Sequence, residues 1–256
     1  MKIVILGSGN VATILGKALL EEGYDIIEVW SRTFSNAKIL ANSLQSQATD
    51  DLAQIRQDAD LYLIAVKDDA IASIIDHLGS INGVVAHTSG STSIEVFSGK
   101  CSHYGVFYPF QTFSKEKDVA FKEVPVLIEA SDPITLAALK KVATAISNTV
   151  KEYDSSQRMQ LHIAGVFASN FTNHLYSIAE RLLTDNQIDF DLLRPLILET
   201  ATKVQNILPE AAQTGPAIRN DLNIMATHQQ QLESHPDLLA IYTLLSNHIN
   251  TQRPKK

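Results

Sequence analysis

Apolar and polar positions are grouped in repeating blocks along the first 150 residues of the chain. Lys2 to Leu6 opens with an almost unbroken apolar run, and Val11 to Glu22 follows with apolar residues at helical spacing. A run without alternation predicts a strand covered on both faces, and the 3.6-residue period predicts a helix packed on it. The block recurs. "DIIEVWSR" from Asp25 predicts a second strand and "NAKILANSL" from Asn36 a helix. "ADLYLIAVKDDAIASIIDHL" carries a strand over Leu61 to Val66 and another helix, and "GVVAHTSG" a strand over Val84 to Ala86 that ends in polar residues and glycine. "VPVLIEA" and "PITLAALKKVATAI" form a further pair, and Thr149 to Tyr153 a last short strand. This alternation predicts an α/β domain over residues 1–153, a parallel, doubly wound sheet.

After Asp154 the strand signals stop. Gln157 to Leu183 keeps a helical pattern for roughly seven turns, followed by helices near Asp191 to Asn206, Arg219 to Leu232 and Pro236 to Asn250. Ser234 and Pro236 suit the N-cap and first turn of the last one. Residues 154–256 are therefore expected to form an all-α domain, with no internal repeat and no low-complexity segment.

Composition narrows the class. With 256 residues and 45% hydrophobic content, the chain can bury two cores. Its net charge of -7 and its single basic tract, "RPKK" at Arg253 to Lys256, argue against a nucleic-acid partner. Cys101 stands alone, which excludes an internal disulfide framework and fits a reducing compartment. The first apolar run is too short for a signal-peptide core, and no run approaches the ~20 residues that span a bilayer. The expectation is a cytoplasmic protein with no membrane partner.

The candidate chemistry starts where the first strand stops. Gly7, Ser8, Gly9, Asn10, Val11 and Ala12 spell G-x-G-x-x-A between a predicted strand and a predicted helix. Such a turn uses its first glycine to bend, its second to admit a pyrophosphate and its small third residue to pack helix on strand, while helix N–H groups face the diphosphate. The second strand should select the dinucleotide. It ends in Ser31, Arg32 and Thr33, and a guanidinium beside two hydroxyls suits the 2'-phosphate of NADP. Glu28 lies near the spacing at which an acidic residue would hold the ribose of NAD, but mid-strand, short of the tip. Arg32 also reads as an ordinary solvated charge.

Other strand ends belong to the same edge of such a sheet. Val66 and Lys67, with Asp68 and Asp69, follow one strand; His87, Thr88, Ser89, Gly90 and Ser91 follow another. Val66, Lys67, Thr88 and Ser89 are cofactor candidates by position and His87 a substrate candidate. The two aspartates read equally as helix caps, and His87 as a histidine satisfied by backbone. On the long helix, Arg158, His162, Ser169, Asn173 and Glu180 fall within about 40° of one direction at 100° per residue, flanked by Asn170 and His174. A solvated stripe would favour Lys and Glu, so this one reads as a cleft wall or as a packed polar edge. In "TGPAIRND", Thr214 to Asp221, the helical pattern breaks. Arg219 there suits a substrate carboxylate and Asp221 can orient it, or the two cap a helix and pair on the surface. No H-E-x-x-H, nucleophile elbow or G-x-x-x-x-G-K loop is present, and His162 and His174 are about 18 Å apart along a straight helix. No metal site is expected.

"ILGSGNVA", "AVKDDAI", "HTSGS", "GVFYPFQTFS", "HIAGVFASNF" and "TGPAIRND" together resemble the Rossmann-like proteins whose C-terminal half is a helical domain of unknown function, a family labelled NADP oxidoreductases. The resemblance covers nearly the whole chain. More distantly, the architecture is similar to pyrroline carboxylate reductase, ketopantoate reductase and the deazaflavin-dependent NADP reductases. It implies NADP in the first domain, a small carbonyl or imine substrate between the domains and a homodimer built through the C-terminal helices. In ketopantoate reductase and its hydroxyacid dehydrogenase cousins the first long helix of the second domain offers a Lys and an Asn to the substrate. No Lys lies on that helix here. The resemblance leaves Asn170 or Asn173 for the Asn role and His162 for proton transfer, since imidazoles exchange protons near neutrality. With no lysine or paired acid and base, the alternative is a dinucleotide-binding sensor without turnover.

Overall fold

The computed structural model describes residues 1–115 and 117–252, so the basic tract Arg253 to Lys256 lies outside the described residues. These residues divide into two compact units, Met1–Asn170 and the chain from Phe171 onward.

In the first unit the strands are β1 (Lys2–Leu6), β2 (Asp25–Trp30), β3 (Gln47–Thr49), β4 (Leu61–Ile64), β5 (Val84–His87), β6 (Tyr104–Pro109), β7 (Val126–Ala130) and β8 (Val150–Glu152). They form one sheet in the order β3-β2-β1-β4-β5-β6-β7-β8. Helices α1 (Asn10–Glu21), α2 (Phe34–Ser43), α3 (Asp68–His77) and α4 (Pro133–Ile146) connect them, and α5 (Ser155–Gly165) follows β8. The chain leaves β1 toward β2 and β3, then crosses back to β4, so the switch point lies between the carboxyl ends of β1 and β4, where open sheets of this kind place ligands.

The unbroken apolar runs have a direct cause. Alternate side chains of one strand enter different cores, Ile3, Ile5, Leu63 and Phe107 on one face with Leu15, Leu40 and Leu139. Val4, Leu6, Ile64 and Val106 lie on the other face with Ile71, Ile75 and Phe97. Because both faces are covered, period-two polarity is absent.

Two details depart from the expectation. The sheet is mixed, since β6 and β7 pair antiparallel while β7 and β8 pair parallel to each other. Among the described residues of 110–125 there is no crossover helix, only the 3-10 turn Phe121–Glu123, and without a crossover the chain re-enters the sheet from the end it left. The strands β3 and β6 were also not expected; β3 has three residues, and "YGVFYP" mixes aromatic, glycine and proline positions.

The predicted seven-turn helix is interrupted. α5 ends at Gly165, Val166–Phe171 is π-helical, and α6 (Thr172–Asp185) continues. A wider i→i+5 turn breaks a count made at 100° per residue. A capping box starts α5: Asp154 accepts from the Gln157 N–H at 2.8 Å, and the Gln157 side chain accepts from the Asp154 N–H at 3.1 Å. α5 belongs to the first unit because Ser155 donates from its N–H and its hydroxyl to the two Glu129 oxygens, at 3.0 and 2.8 Å.

The second unit comprises α6, α7 (Arg194–Asn206), α8 (Pro209–Ala212), α9 (Pro216–Arg219), α10 (Leu222–Gln231) and α11 (Pro236–Thr251) among the described residues. Arg219 closes the short helix α9 instead of opening a longer one, because Asn220 takes the left-handed conformation and stops it. Pro236 is in the first turn of α11 as expected, but His235, not Ser234, holds the cap position. No helix among the described residues is long and apolar enough to cross a membrane.

Leu63 is fully buried in the central strand β4. Leu63→Ala is expected to destabilise the protein by about 2–5 kcal/mol, read as a lower urea midpoint at unchanged m-value. A loss under about 1 kcal/mol would contradict the burial assigned to β4.

Candidate functional site

The turn after β1 is built for close approach. Gly7 has φ +134°, and a Cβ there would stand 2.1 Å from the Ala65 carbonyl oxygen, so no other residue fits between β1 and the end of β4. Its N–H donates to Trp30 O at 2.8 Å. Gly9 is the N-cap of α1 and supplies no side-chain cap, and a Cβ at Gly9 would meet nothing within 4 Å. First-turn N–H groups at an open glycine suit a diphosphate. Ala12 is fully buried, which lets α1 pack tightly, and Val11 is half-buried beside it.

Ser8 Oγ donates to Ser31 Oγ at 2.8 Å, tying the turn to the end of β2. Arg32 and Thr33 are exposed there, and Thr33 caps α2 without a side-chain hydrogen bond. Glu28 points elsewhere: it is buried mid-strand and accepts from the Arg56 N–H at 2.9 Å, and burial pushes its carboxyl upward. A segment that sequence reasoning passed over covers the turn. The Asn10 amide donates to Phe113 O at 2.7 Å and Lys115 Nζ to Ser8 O at 2.8 Å. These contacts join positions more than a hundred residues apart and leave no local signal. The arrangement fits a dinucleotide, with bare amides, open space and a nearby cation.

At the end of β4, Val66 lies against Gly7, and exposed Lys67 caps α3. Asp68 and Asp69 occupy the first turn of α3, and Asp68 also accepts a short hydrogen bond from Ser91 Oγ. After β5, Thr88 donates to Ile64 O through its N–H at 3.0 Å and its hydroxyl at 3.3 Å. Ser89 Oγ accepts from the N–H groups of Ser91 and Thr92. His87 is fully buried, stacks on Phe97 at 5.5 Å and accepts from the Ser89 N–H through Nδ1 at 3.2 Å. Its Nε2 makes no hydrogen bond. Burial first, and the Arg158 charge second, push this imidazole down to about 4.

A cavity of the first unit opens beyond the end of β6. It holds about 310 Å³ and is lined by Tyr108, Phe110, Gln111 and Thr112 from β6 and its continuation, and by His162, Gly165, Val166, Ala168, Ser169 and Asn170 from α5 and the π-helical turn. Tyr108 Oη and His162 Nδ1 lie 3.1 Å apart. Gly90 permits this, because a Cβ there would come within 2.6 Å of both His162 Nδ1 and Tyr108 Cζ. Burial chiefly, aided by the Asp68 charge and opposed by Arg158, pushes the Tyr108 phenol up to about 12.

One turn before His162 on α5, Arg158 is 1% exposed. It pairs with Glu129 of β7 and donates to Thr92 O and to Ser155 Oγ. It therefore joins the sheet and the loop after β5, and is not an open face of a stripe. His162 and Asn170 line this cavity; His87 lies outside its lining. Asn173 on α6, Arg219 and Asp221 belong to the second unit, the first two exposed and Asp221 half-buried. Tyr108 was passed over because one tyrosine in "GVFYPF" carries no spacing signal. Among the described residues no group of three metal-ligating side chains occurs.

Comparison with known proteins supplies a second line. Residues 2–86 match the family model described as NADP oxidoreductase coenzyme F420-dependent, and residues 124–249 match a domain of unknown function, DUF2520. The solved structure of a "putative NADP oxidoreductase" from Bacteroides fragilis is 44% identical, with a TM-score of 0.93 and 98% of each chain covered. A protein from Thermotoga maritima is 22% identical with a TM-score of 0.74, over 98% of this chain and 97% of that one. An imine reductase from Myxococcus stipitatus in complex with NADP+ is 15% identical with a TM-score of 0.69, over 98% of this chain and 95% of that one. The last two are similar in fold. A glycerol-3-phosphate dehydrogenase [NAD(P)+] from Leptospira biflexa is 30% identical over 107 residues, 35% of this chain and 32% of that protein. The chain belongs to the NADP oxidoreductase family that joins these two domains.

Two outcomes test the site. Gly7→Ala is expected to abolish dinucleotide binding by calorimetry and to lower the melting temperature, since the methyl meets a backbone carbonyl. Full binding with an unchanged melting temperature would refute the turn. His87 has an ordinary value of 6.5 and sits near 4 when folded. The unfolded chain thus binds the extra proton first, and stability is full above pH 6.5 and falls as pH drops through 4. The loss is up to about 3 kcal/mol, and His87→Gln should flatten it in denaturation series across that window.

Proposed function

We propose that this member of the family moves hydride between NADP(H) and a small carbonyl or imine compound, with residues 1–153 holding the coenzyme. The observation that carries the reading is the turn after β1, where Gly7 touches the Ala65 carbonyl and Gly9 leaves the α1 amides open. Ser8, Asn10, Val11 and Ala12 shape this cradle. Thr88, Ser89, Val66 and Lys67 border the nicotinamide half.

Ser31, Arg32 and Thr33 would hold the 2'-phosphate, and buried Glu28, tied to the Arg56 N–H, is withdrawn from the ribose. NADP is therefore favoured over NAD. The bound coenzyme supplies the hydride. His162 and Asn170 face the substrate in the 310 Å³ cavity, His162 as a proton-transfer group and Asn170 as an orienting donor. His87, Asn173, Arg219 and Asp221 are further substrate-side candidates from the sequence.

The reading places the protein in the cytoplasm as a homodimer joined through its C-terminal helices. The second unit supports this with Leu192, Leu196, Leu198, Leu208 and Leu244, each more than 60% exposed. Such apolar surface on a lone chain calls for a partner.

Calorimetry should detect NADPH binding, and Arg32→Ala should weaken it about 10- to 100-fold, the worth of one or two charge-assisted hydrogen bonds, while leaving NADH affinity unchanged. Equal loss for both coenzymes would remove Arg32 from the phosphate site. Absence of binding by either would remove the function.

A further inference from the structure

The cavity beyond the end of β6 contains two titratable side chains among the described residues that line it, Tyr108 and His162. Gln111, Thr112, Ser169 and Asn170 are neutral, and Phe110, Gly165, Val166 and Ala168 carry no side-chain proton to give. A proton delivered to a substrate from this wall comes from one of the pair. Their polar atoms are 3.1 Å apart, and the rings meet edge to face at 62°. This contact is constructed from three separated segments. Gly90 leaves out the atoms that would block it, β6 delivers Tyr108, and Arg158, pinned by Glu129 and Thr92 O, sets the height of α5 and so of His162.

We propose that Tyr108 is the catalytic acid and that His162 recharges it through Nδ1. This rests on the reductase reading above and revises one role in it, moving proton donation from His162 to Tyr108. The step balances. The carbonyl carbon gains hydride from the reduced nicotinamide, its C=O π bond becomes an alkoxide lone pair, and the oxygen takes the Tyr108 phenol proton. The phenolate takes a proton from His162 Nδ1, and the ring takes one back from solvent.

Desolvation and the Asp68 carboxylate of α3 outweigh the Arg158 guanidinium of α5 and hold the phenol near 12. It stays protonated throughout the physiological range and so is loaded to protonate an alkoxide, a stronger base.

The test uses the full chain and NADPH, with one panel of aldehydes and ketones and one of cyclic imines. Turnover of at least one panel is expected, and Tyr108→Phe should lower its kcat about 10²- to 10⁴-fold with KM and calorimetric NADPH affinity nearly unchanged. His162→Gln should also lower kcat, and it covers the case in which the tyrosine variant fails to fold. Without any ligand, ¹⁵N NMR should show the His162 Nδ1 resonance shifting in Tyr108→Phe, a readout independent of turnover. Turnover of neither panel despite NADPH binding, or a Tyr108→Phe kcat within about a factor of 10 of wild type, overturns the proposal while the coenzyme reading stands. Failure to bind NADPH removes the reading itself.

Discussion

The buried ion pair between Arg158 and Glu129 is the constraint on which the rest of the first unit's chemistry depends. A guanidinium that is 1% exposed has lost its water, and such a charge is tolerated only when its donors are taken up by partners of matching geometry. Glu129 is held ready by the Ser155 N–H and hydroxyl, and Thr92 O and Ser155 Oγ receive the second nitrogen. The group thereby joins β7, the loop after β5 and the first turn of α5. Its Nε finds no acceptor, a residual cost that the fold carries at this junction. The same charge reaches the His87 imidazole and the Tyr108 phenol, lowering both. One side chain thus acts at once as a mechanical pin and as the main fixed positive charge behind the cavity.

The mixed sheet matters for the same reason. Had 110–125 formed a crossover helix, β7 would run parallel to β6 and Glu129 would stand in another register. The antiparallel return sets Val106 opposite Glu129, two positions before Tyr108. It also leaves the connecting segment free to run back over the turn after β1, where Asn10 and Lys115 make their contacts. The irregular segment and the reversed strand are one event, which brings Lys115 to Ser8 O and sets Glu129 opposite Val106.

Much of this was legible in the chain itself. Apolar runs each followed by a helical period specify a sheet covered on both faces, because strands buried on both sides have no reason to alternate. G-x-G-x-x-A at Gly7 to Ala12 specifies its own conformation, since Gly7 adopts φ +134° and the small Ala12 packs at no exposure. Pro236 marks a helix start for the same local reason. These are short-range effects, decided within a few residues and therefore visible in order.

Tertiary structure alone decided the rest. Arg158 looked like one member of a polar stripe and proved to be buried, because the acceptor that makes burial tolerable is 29 residues away. The stripe itself rested on a 100° step that the π-helical turn at Val166–Phe171 does not keep. Tyr108 and His162 are 54 positions apart, and Gly90, which lets them meet, is distant from both. Periodicity and local spacing report on neighbours along the chain. A proton-transfer pair is defined by distance in space, which only the closing of the sheet and the docking of α5 determine.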